Sequence, residues 1–187
     1  MNSLFEILGT PLAGLRVMKR NPICDSRGYL ERLFCAKGLQ TLAPGKSIAQ
    51  INHTLTISSG TVRGMHFQIP PYAETKFVSC IRGEVFDVAV DLRQNSPTFL
   101  HWHAELLSAI NHKTLIIPEG FAHGFQTLTE DCEMLYFHTT AYRPDSEGGL
   151  NIQDPMLDIQ WPLPLAGLSQ RDAAHPLLAP DFRGIAT

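Results

Sequence analysis

The sequence predicts an all-β fold, a sandwich or closed barrel, and three observations carry that prediction. Short β-rich runs separated by turn residues fill the chain from about Ser47 to His138. Thirteen prolines and fourteen glycines are spread through the 187 residues, too many for a helical bundle and in keeping with many tight turns. Helical patterning is scarce, and no repeat period suggests a solenoid. With 44 % apolar and 18 % charged residues there is material for one core. A single domain over 1–187 is expected, with a barrel at about 10–145 and a tail, 146–187, packing on it.

Taken in order, the apolar run Leu12 to Val17 reads as a strand able to add to a partner's sheet edge. Gln50 and Asn52 share one face of the next strand. In Val62-Arg63-Gly64-Met65-His66-Phe67-Gln68 strict alternation puts Val62, Gly64, His66 and Gln68 on one face and Arg63 on the other, unless Gly64 hosts a bulge. Phe77 to Ile81, Val85 to Leu92, Trp102 to Leu107, Thr114 to Ile117 and Glu133 to Thr139 follow as strands, separated by turns such as Arg82-Gly83 and Asn95-Ser96-Pro97. On the second of these Phe86, Val88, Val90 and Leu92 form an apolar face, while Asp87 and Asp91 on the other face meet water or line something polar. Trp102, Ala104 and Leu106 alternate with His103 and Glu105, as on a half-exposed strand. After Pro144 the chain reads as an irregular tail wrapping the barrel, with one short helix near Ser169 to Ala174.

Several function classes are set aside by composition. A net charge of -3 does not suit a protein that grips duplex nucleic acid, although a few local arginines suffice for a small anion. Cys24, Cys35, Cys80 and Cys132 are widely spaced without a Cys-x-x-Cys pair, which indicates neither a zinc knuckle nor a disulfide framework. The N-terminus meets Glu6 without a basic region, and no run of about 18 apolar residues occurs, so neither a signal peptide nor a membrane span is expected and the cytoplasm is the expected location.

Individually, the polar candidates have ordinary readings. His66 reads as a backbone-satisfied core histidine, Lys76 as a solvated strand end, Asp172 as a helix-cap acid, Tyr136 as a strand aromatic and Arg27 as a turn residue. Their company points elsewhere. Pro118-Glu119-Gly120-Phe121-Ala122-His123-Gly124 resembles the second motif of the cupin superfamily, whose first motif supplies two histidines one residue apart and a glutamate. Here the matching stretch offers His66, Phe67 and Gln68, so that metal set is incomplete; no metal and no cofactor are expected.

Asp25-Ser26-Arg27-Gly28, Gln50-x-Asn52-His53, Val62 to Gln68, Lys76-Phe77-Val78, Gly83 to Arg93, Ser96-Pro97-Thr98-Phe99, Pro118 to Phe125, Leu135-Tyr136 and Leu168-Ser169-Gln170-Arg171-Asp172 together resemble the dTDP-4-dehydrorhamnose 3,5-epimerases, collinearly over about residues 10–178. The resemblance implies a cupin-like double-stranded β-helix, or jelly-roll barrel, acting as a homodimer on a nucleotide sugar. His66 is then the base, oriented by Asp172; Tyr136 is the acid on the opposite face; Lys76 steadies the enolate oxygen. Arg27, Arg63, Gln50 and Asn52 hold diphosphate or sugar, Tyr142 packs on the base, and His123 and Arg171 stand near the substrate. Such chemistry needs these types, because proton loss beside a ketone requires a fixed donor for the enolate and inversion requires an acid across the pocket.

Two departures from the family pattern bear on specificity. Arg32 stands where a glutamate commonly approaches the nucleotide, and Ala73-Glu74-Thr75-Lys76 replaces Ala-Gln-Ala-Lys. Inversion at C3 or C5 only, on another nucleotide sugar, is therefore an alternative to double inversion, as is a non-catalytic sugar-nucleotide-binding cupin.

Overall fold

The computed structural model describes residues 5–187. Strands β1 (Phe5–Gly9), β2 (Arg16–Arg20), β5 (Gln50–Thr56), β7 (Lys76–Arg82), β10 (Lys113–Ile117) and β12 (Cys132–His138) make a six-stranded antiparallel sheet in the order β1-β2-β10-β7-β12-β5. Strands β6 (Val62–Gln68), β8 (Glu84–Asp91), β9 (Trp102–Ser108), β11 (Phe121–Thr127) and β13 (Glu147–Gly149) make a second, in the order β13-β6-β11-β8-β9. A hairpin of β3 (Ile23–Asp25) and β4 (Gly28–Leu30) stands apart from both. The architecture is a jelly roll, and each of the five central strands expected from patterning ends within one residue of its expected limits.

Alternation decides what each face buries. Val85 and Ala89 of β8 and Phe121 and Phe125 of β11 meet Val78, Cys80, Leu115 and Met134 of the facing sheet in the main core. The opposite face of β8, Val88 and Val90, packs under the tail residues Leu150, Ile152, Leu157 and Ile159. Each such side chain contributes about 1.5–3 kcal/mol on full burial, so the tail covers an apolar face that would otherwise lie in water. A third layer lies outside the six-stranded sheet, where Leu39 and Leu42 of helix α1 (Ala36–Leu42) pack on Met18, Phe77 and Phe137. Sequence patterning misses this helix: Gly38 interrupts it, and Cys35 caps it without a side-chain hydrogen bond.

The strand expected over Leu12 to Val17 is corrected. Gly14 adopts φ +85° in a turn, Leu12 and Leu15 fill the main core, and the strand begins at Arg16, pairing with β1 and β10 of its own sheet. Among the described residues no helix is long and apolar enough to cross a membrane.

Candidate active site

The two sheets open at one end into a cavity of about 790 Å³, a size suited to a small-molecule ligand. Arg63 and His66 both line it, though plain alternation separates them. A bulge supplies the missing residue: His123 pairs with His66 and Phe125 with Arg63, so two steps on β11 span three on β6. Gly64 makes this possible. Its φ is +135°, and a Cβ there would stand 2.5 Å from the Gly124 Cα.

His66 is mostly buried, and its Nε2 lies 2.8 Å from Asp172 Oδ1. Asp172 comes from the short helix α2 (Gln170–Ala173), whose first turn Ser169 caps by accepting from the Asp172 N–H at 3.0 Å. The carboxylate's second oxygen accepts from the Gly64 N–H at 3.3 Å, so one acid ties the tail to the bulge and to the histidine. Arg171 Nη2 lies 2.9 Å from the same Nε2. One ring nitrogen cannot serve both; a carboxylate only accepts, so the Nε2 proton goes to Asp172, Arg171 stands by as a charge, and Nδ1 keeps a lone pair. Burial draws the His66 pKa below its ordinary value; Asp172 opposes this, and the Arg171 and Lys76 charges reinforce it. The ring is neutral, as a base must be. Burial also pushes the Asp172 carboxyl up, but its hydrogen bond and ion pair with His66 outweigh that and hold it low.

Across the cavity, on β12, Tyr136 is packed edge-on to His123 and stacked with His138. Burial raises its phenol far above the ordinary value, which keeps the O–H protonated at neutral pH. Lys76 is not a solvated strand end: its side chain is 11 % exposed, with Nζ 3.2 Å from Glu74 Oε1. The other Glu74 oxygen accepts from His138 Nδ1 at 2.7 Å, and the relay continues through Asn52 Nδ2, 3.5 Å from His138 Nε2, to Gln50, whose Nε2 donates to Asn52 Oδ1 at 3.0 Å. Burial raises the Glu74 carboxyl, but His138 and Lys76 together bring it below its ordinary value.

His123 is buried, with Nε2 3.0 Å from both oxygens of Asp87. Asp87 does not meet water: it is buried behind the cavity lining with His123 as its partner, and burial drives its carboxyl up against the pull of His123. At the rim, the Tyr142 hydroxyl donates to Glu147 at 2.8 Å, and Arg171 Nη1 pairs with the same carboxylate at 3.1 Å. Arg63 is exposed, donating through Nε to Thr56 at 2.9 Å.

Arg27 stands apart from the other expected residues. It lies on the β3–β4 hairpin, outside both sheets, with its side chain 87 % exposed and its guanidinium on Asp25 at 2.6 Å, so within this chain it does not line the cavity. Arg32 likewise lies beside α1, with Phe5 and Leu33. The other expected residues, His66, Asp172, Tyr136, Lys76, Gln50, Asn52, Arg63, His123, Tyr142 and Arg171, all line the one cavity or contact its lining. Glu74, His138, Asp87 and Glu147 were not singled out as site residues. Alternation held a signal for two of them, since His138 lies two residues beyond Tyr136 and Asp87 shares a face with Val85 and Ala89.

A hydrogen-bonded imidazole, a protonated phenol on the facing sheet and an ammonium in the same cavity can take a proton from a carbon beside a carbonyl and return one to the other face. The family model for dTDP-4-dehydrorhamnose 3,5-epimerase matches residues 9–180. A dTDP-4-dehydrorhamnose 3,5-epimerase of Salmonella typhimurium is 41 % identical over 174 residues, covering 92 % of this chain and 94 % of that one. Among solved structures, a Legionella pneumophila dTDP-6-deoxy-D-glucose-3,5-epimerase in complex with dTDP-4-keto-L-rhamnose superposes with a TM-score of 0.87 at 38 % identity, covering 92 % of each chain. A 3'-monoepimerase of Streptomyces bikiniensis in complex with dTDP-quinovose gives 0.82 at 30 % identity, covering 90 % of this chain and 85 % of that one. The chain belongs to the dTDP-4-dehydrorhamnose 3,5-epimerase family.

Proposed function

We propose that this chain inverts C3 and C5 of dTDP-4-dehydro-6-deoxy-D-glucose to give dTDP-4-dehydro-L-rhamnose. The observation that carries the reading is the placement of His66, backed by Asp172, on one sheet and of Tyr136 on the other, with Lys76 in the same cavity. His66 Nδ1 removes the proton from a carbon next to the C4 ketone, and the electron pair moves onto the C4 oxygen. Lys76 meets that charge. Tyr136 then delivers its proton to the opposite face of the carbon, the carbonyl re-forms, and both residues return to their starting states by exchange with solvent. Arg63, Arg171, Gln50 and Asn52 bind diphosphate and sugar hydroxyls, and His123, held by Asp87, lies along the sugar.

The chain acts in the cytoplasm as a homodimer. Exposed Ile51 and Leu55 on the edge strand β5, with Tyr29 and Leu30 on the β3–β4 hairpin, support the assembly. Arg27, outside its own cavity, is then available to the substrate of the second copy. Light scattering at working concentration should give twice the chain mass; a monomer would remove this part of the reading.

In D₂O, incubation with dTDP-4-dehydro-6-deoxy-D-glucose should place deuterium at C3 and C5, and His66→Ala should abolish both. Exchange at C3 alone would select single inversion, the reading that the similarity to a 3'-monoepimerase favours. Binding without any exchange would overturn the catalytic reading.

A further inference from the structure

His175 lies at the C-terminal end of α2, outside the substrate cavity, and it has no part in the proton transfers above. Its ring is seated over Gly149, where a Cβ would meet the imidazole at 2.1 Å, so only glycine leaves room for it. The side chain is 15 % exposed, its Nε2 is buried without a hydrogen-bond partner in the chain, and that atom stands 3.7 Å from Asp172 Oδ1. The same oxygen is 2.8 Å from His66 Nε2, and the two imidazoles meet edge to face with centroids 5.6 Å apart. Two ring nitrogens and one carboxylate oxygen therefore converge, all within 4.8 Å of one another.

In a tetrahedral zinc site with metal–ligand bonds of about 2.0–2.1 Å, neighbouring ligand atoms are about 3.3 Å apart. These three need close by no more than about 1–2 Å to hold such an ion. Two imidazoles and a carboxylate select zinc, cobalt, nickel or copper over magnesium or calcium, which prefer all-oxygen sites. Arg171 is the opposing charge, with Nη2 2.9 Å from His66 Nε2, but its side chain is 55 % exposed and already paired with Glu147 through Nη1, so Nη2 can withdraw toward solvent while that pair holds.

We propose that His66, Asp172 and His175 form an inhibitory site for a borderline divalent cation of the zinc class. The consequence follows from proton count. A neutral imidazole carries one N–H, and when Nε2 coordinates a metal that proton must sit on Nδ1. Nδ1 is the nitrogen that has to be bare to act as the base, so metal binding and catalysis exclude each other. The inhibitory consequence rests on His66 being the epimerase base; the metal site itself does not.

The test uses chelator-treated full-length protein and Co²⁺ as the spectroscopic probe. One equivalent should produce the visible d–d bands of a four- or five-coordinate nitrogen and oxygen site, displaced by Zn²⁺. His175→Phe, which keeps the ring volume, and His175→Ala should both lose the bands while retaining metal-free turnover, and should shift the Zn²⁺ concentration for half-inhibition upward by about tenfold or more. Absence of bands in the wild-type chain overturns the site, as does a thiolate charge-transfer band placing the metal on Cys24 or Cys35. Equal Zn²⁺ sensitivity in wild type and both variants also overturns it. If instead Co²⁺ binds as expected but the metal-free enzyme shows no exchange on its substrate, the epimerase reading fails and the metal site stands.

Discussion

Replacing Asp172 by asparagine tests the proposal that His66 acts as the base. The carboxylate accepts from His66 Nε2 at 2.8 Å through one oxygen and from the Gly64 N–H at 3.3 Å through the other. An amide of the same shape must turn its carbonyl toward one of these donors and its NH₂ toward the other. The Gly64 N–H is backbone, buried in the bulge, and cannot turn away. The half-exposed Arg171 can, and the imidazole can move its proton. The carbonyl therefore faces Gly64, the NH₂ donates to Nε2, and the ring proton shifts to Nδ1, where it blocks proton abstraction. The whole general-base contribution is then at stake, a factor on the order of 10² to 10⁴ in kcat. Asp172→Ala loses orientation but imposes no tautomer, so the conservative amide should be the slower of the two. Deuterium wash-in at C3 and C5 followed by NMR gives the rates, and thermal melts establish that both variants fold. An asparagine variant within tenfold of wild type, or clearly faster than the alanine variant, refutes the tautomer argument.

Because burial sets the His66 pKa below its ordinary 6.5, kcat/KM should be level above that pH and fall only as the pH drops through the lowered value; an acid limb centred above 6.5 would contradict it. The same depression puts a stability contribution above pH 6.5 that is lost on acidification, since there the unfolded chain binds the extra proton. Lys76→Met should cost about 3–4 kcal/mol of transition-state stabilisation, roughly 10²–10³ in kcat, and leave Glu74 short of a cation; adding Glu74→Gln should recover melting temperature but not rate, and recovery of both would make Lys76 merely structural. Asp91 is buried, and hydrogen bonds from Arg93, Ser96 and Thr98 outweigh its burial and hold its pKa at about 2 against an ordinary 3.8. That gap is worth about 2 kcal/mol above pH 4, lost as the pH falls toward 2, so Asp91→Asn should lower denaturant-unfolding stability at pH 7 by about that much and flatten the acid loss. Gly64→Ala, with its Cβ 2.5 Å from Gly124 and φ at +135°, should destabilise by about 1–3 kcal/mol and depress activity with it; an unaltered midpoint in urea would mean the bulge is not held by that glycine.

What was legible in the sequence divides along the chain. Between Gln50 and His138 local pattern carried the structure, because a strand's side chains alternate whatever it pairs with. That rule put Phe86, Val88 and Val90 on one face of β8 and Asp87 on the other, and its failure at Arg63 and His66 pointed to the Gly64 bulge. The ends of the chain follow no such period. Nothing around Arg27 indicates that its hairpin stands off both sheets, and nothing near Gly38 advertises a helix lying on Phe77 and Phe137. The tail is the sharper case, since Asp172 reaches His66 across 106 residues of sequence only because Leu150, Ile152, Leu157 and Ile159 lay the tail over the apolar face of β8.

The dependence on the tail also has a chemical meaning. The proposed proton acceptor stands on the barrel, but the groups that choose its tautomer, surround it with charge and compete for its nitrogen, namely Asp172, Arg171 and Glu147, are all supplied after Pro144. A barrel stripped of its tail would keep His66, Lys76 and Tyr136 in register and lose the reason for His66 to hold a lone pair toward the substrate. Exchange of the tail's amide hydrogens, set beside the exchange of deuterium into substrate, is therefore expected to report on one contact: loosening the packing of Ile152 on the sheet with Ile152→Ala should slow proton abstraction without changing any group that touches the sugar. An Ile152→Ala variant with faster amide exchange in the tail but wild-type deuterium incorporation would show that Asp172 holds His66 without help from the apolar face beneath it.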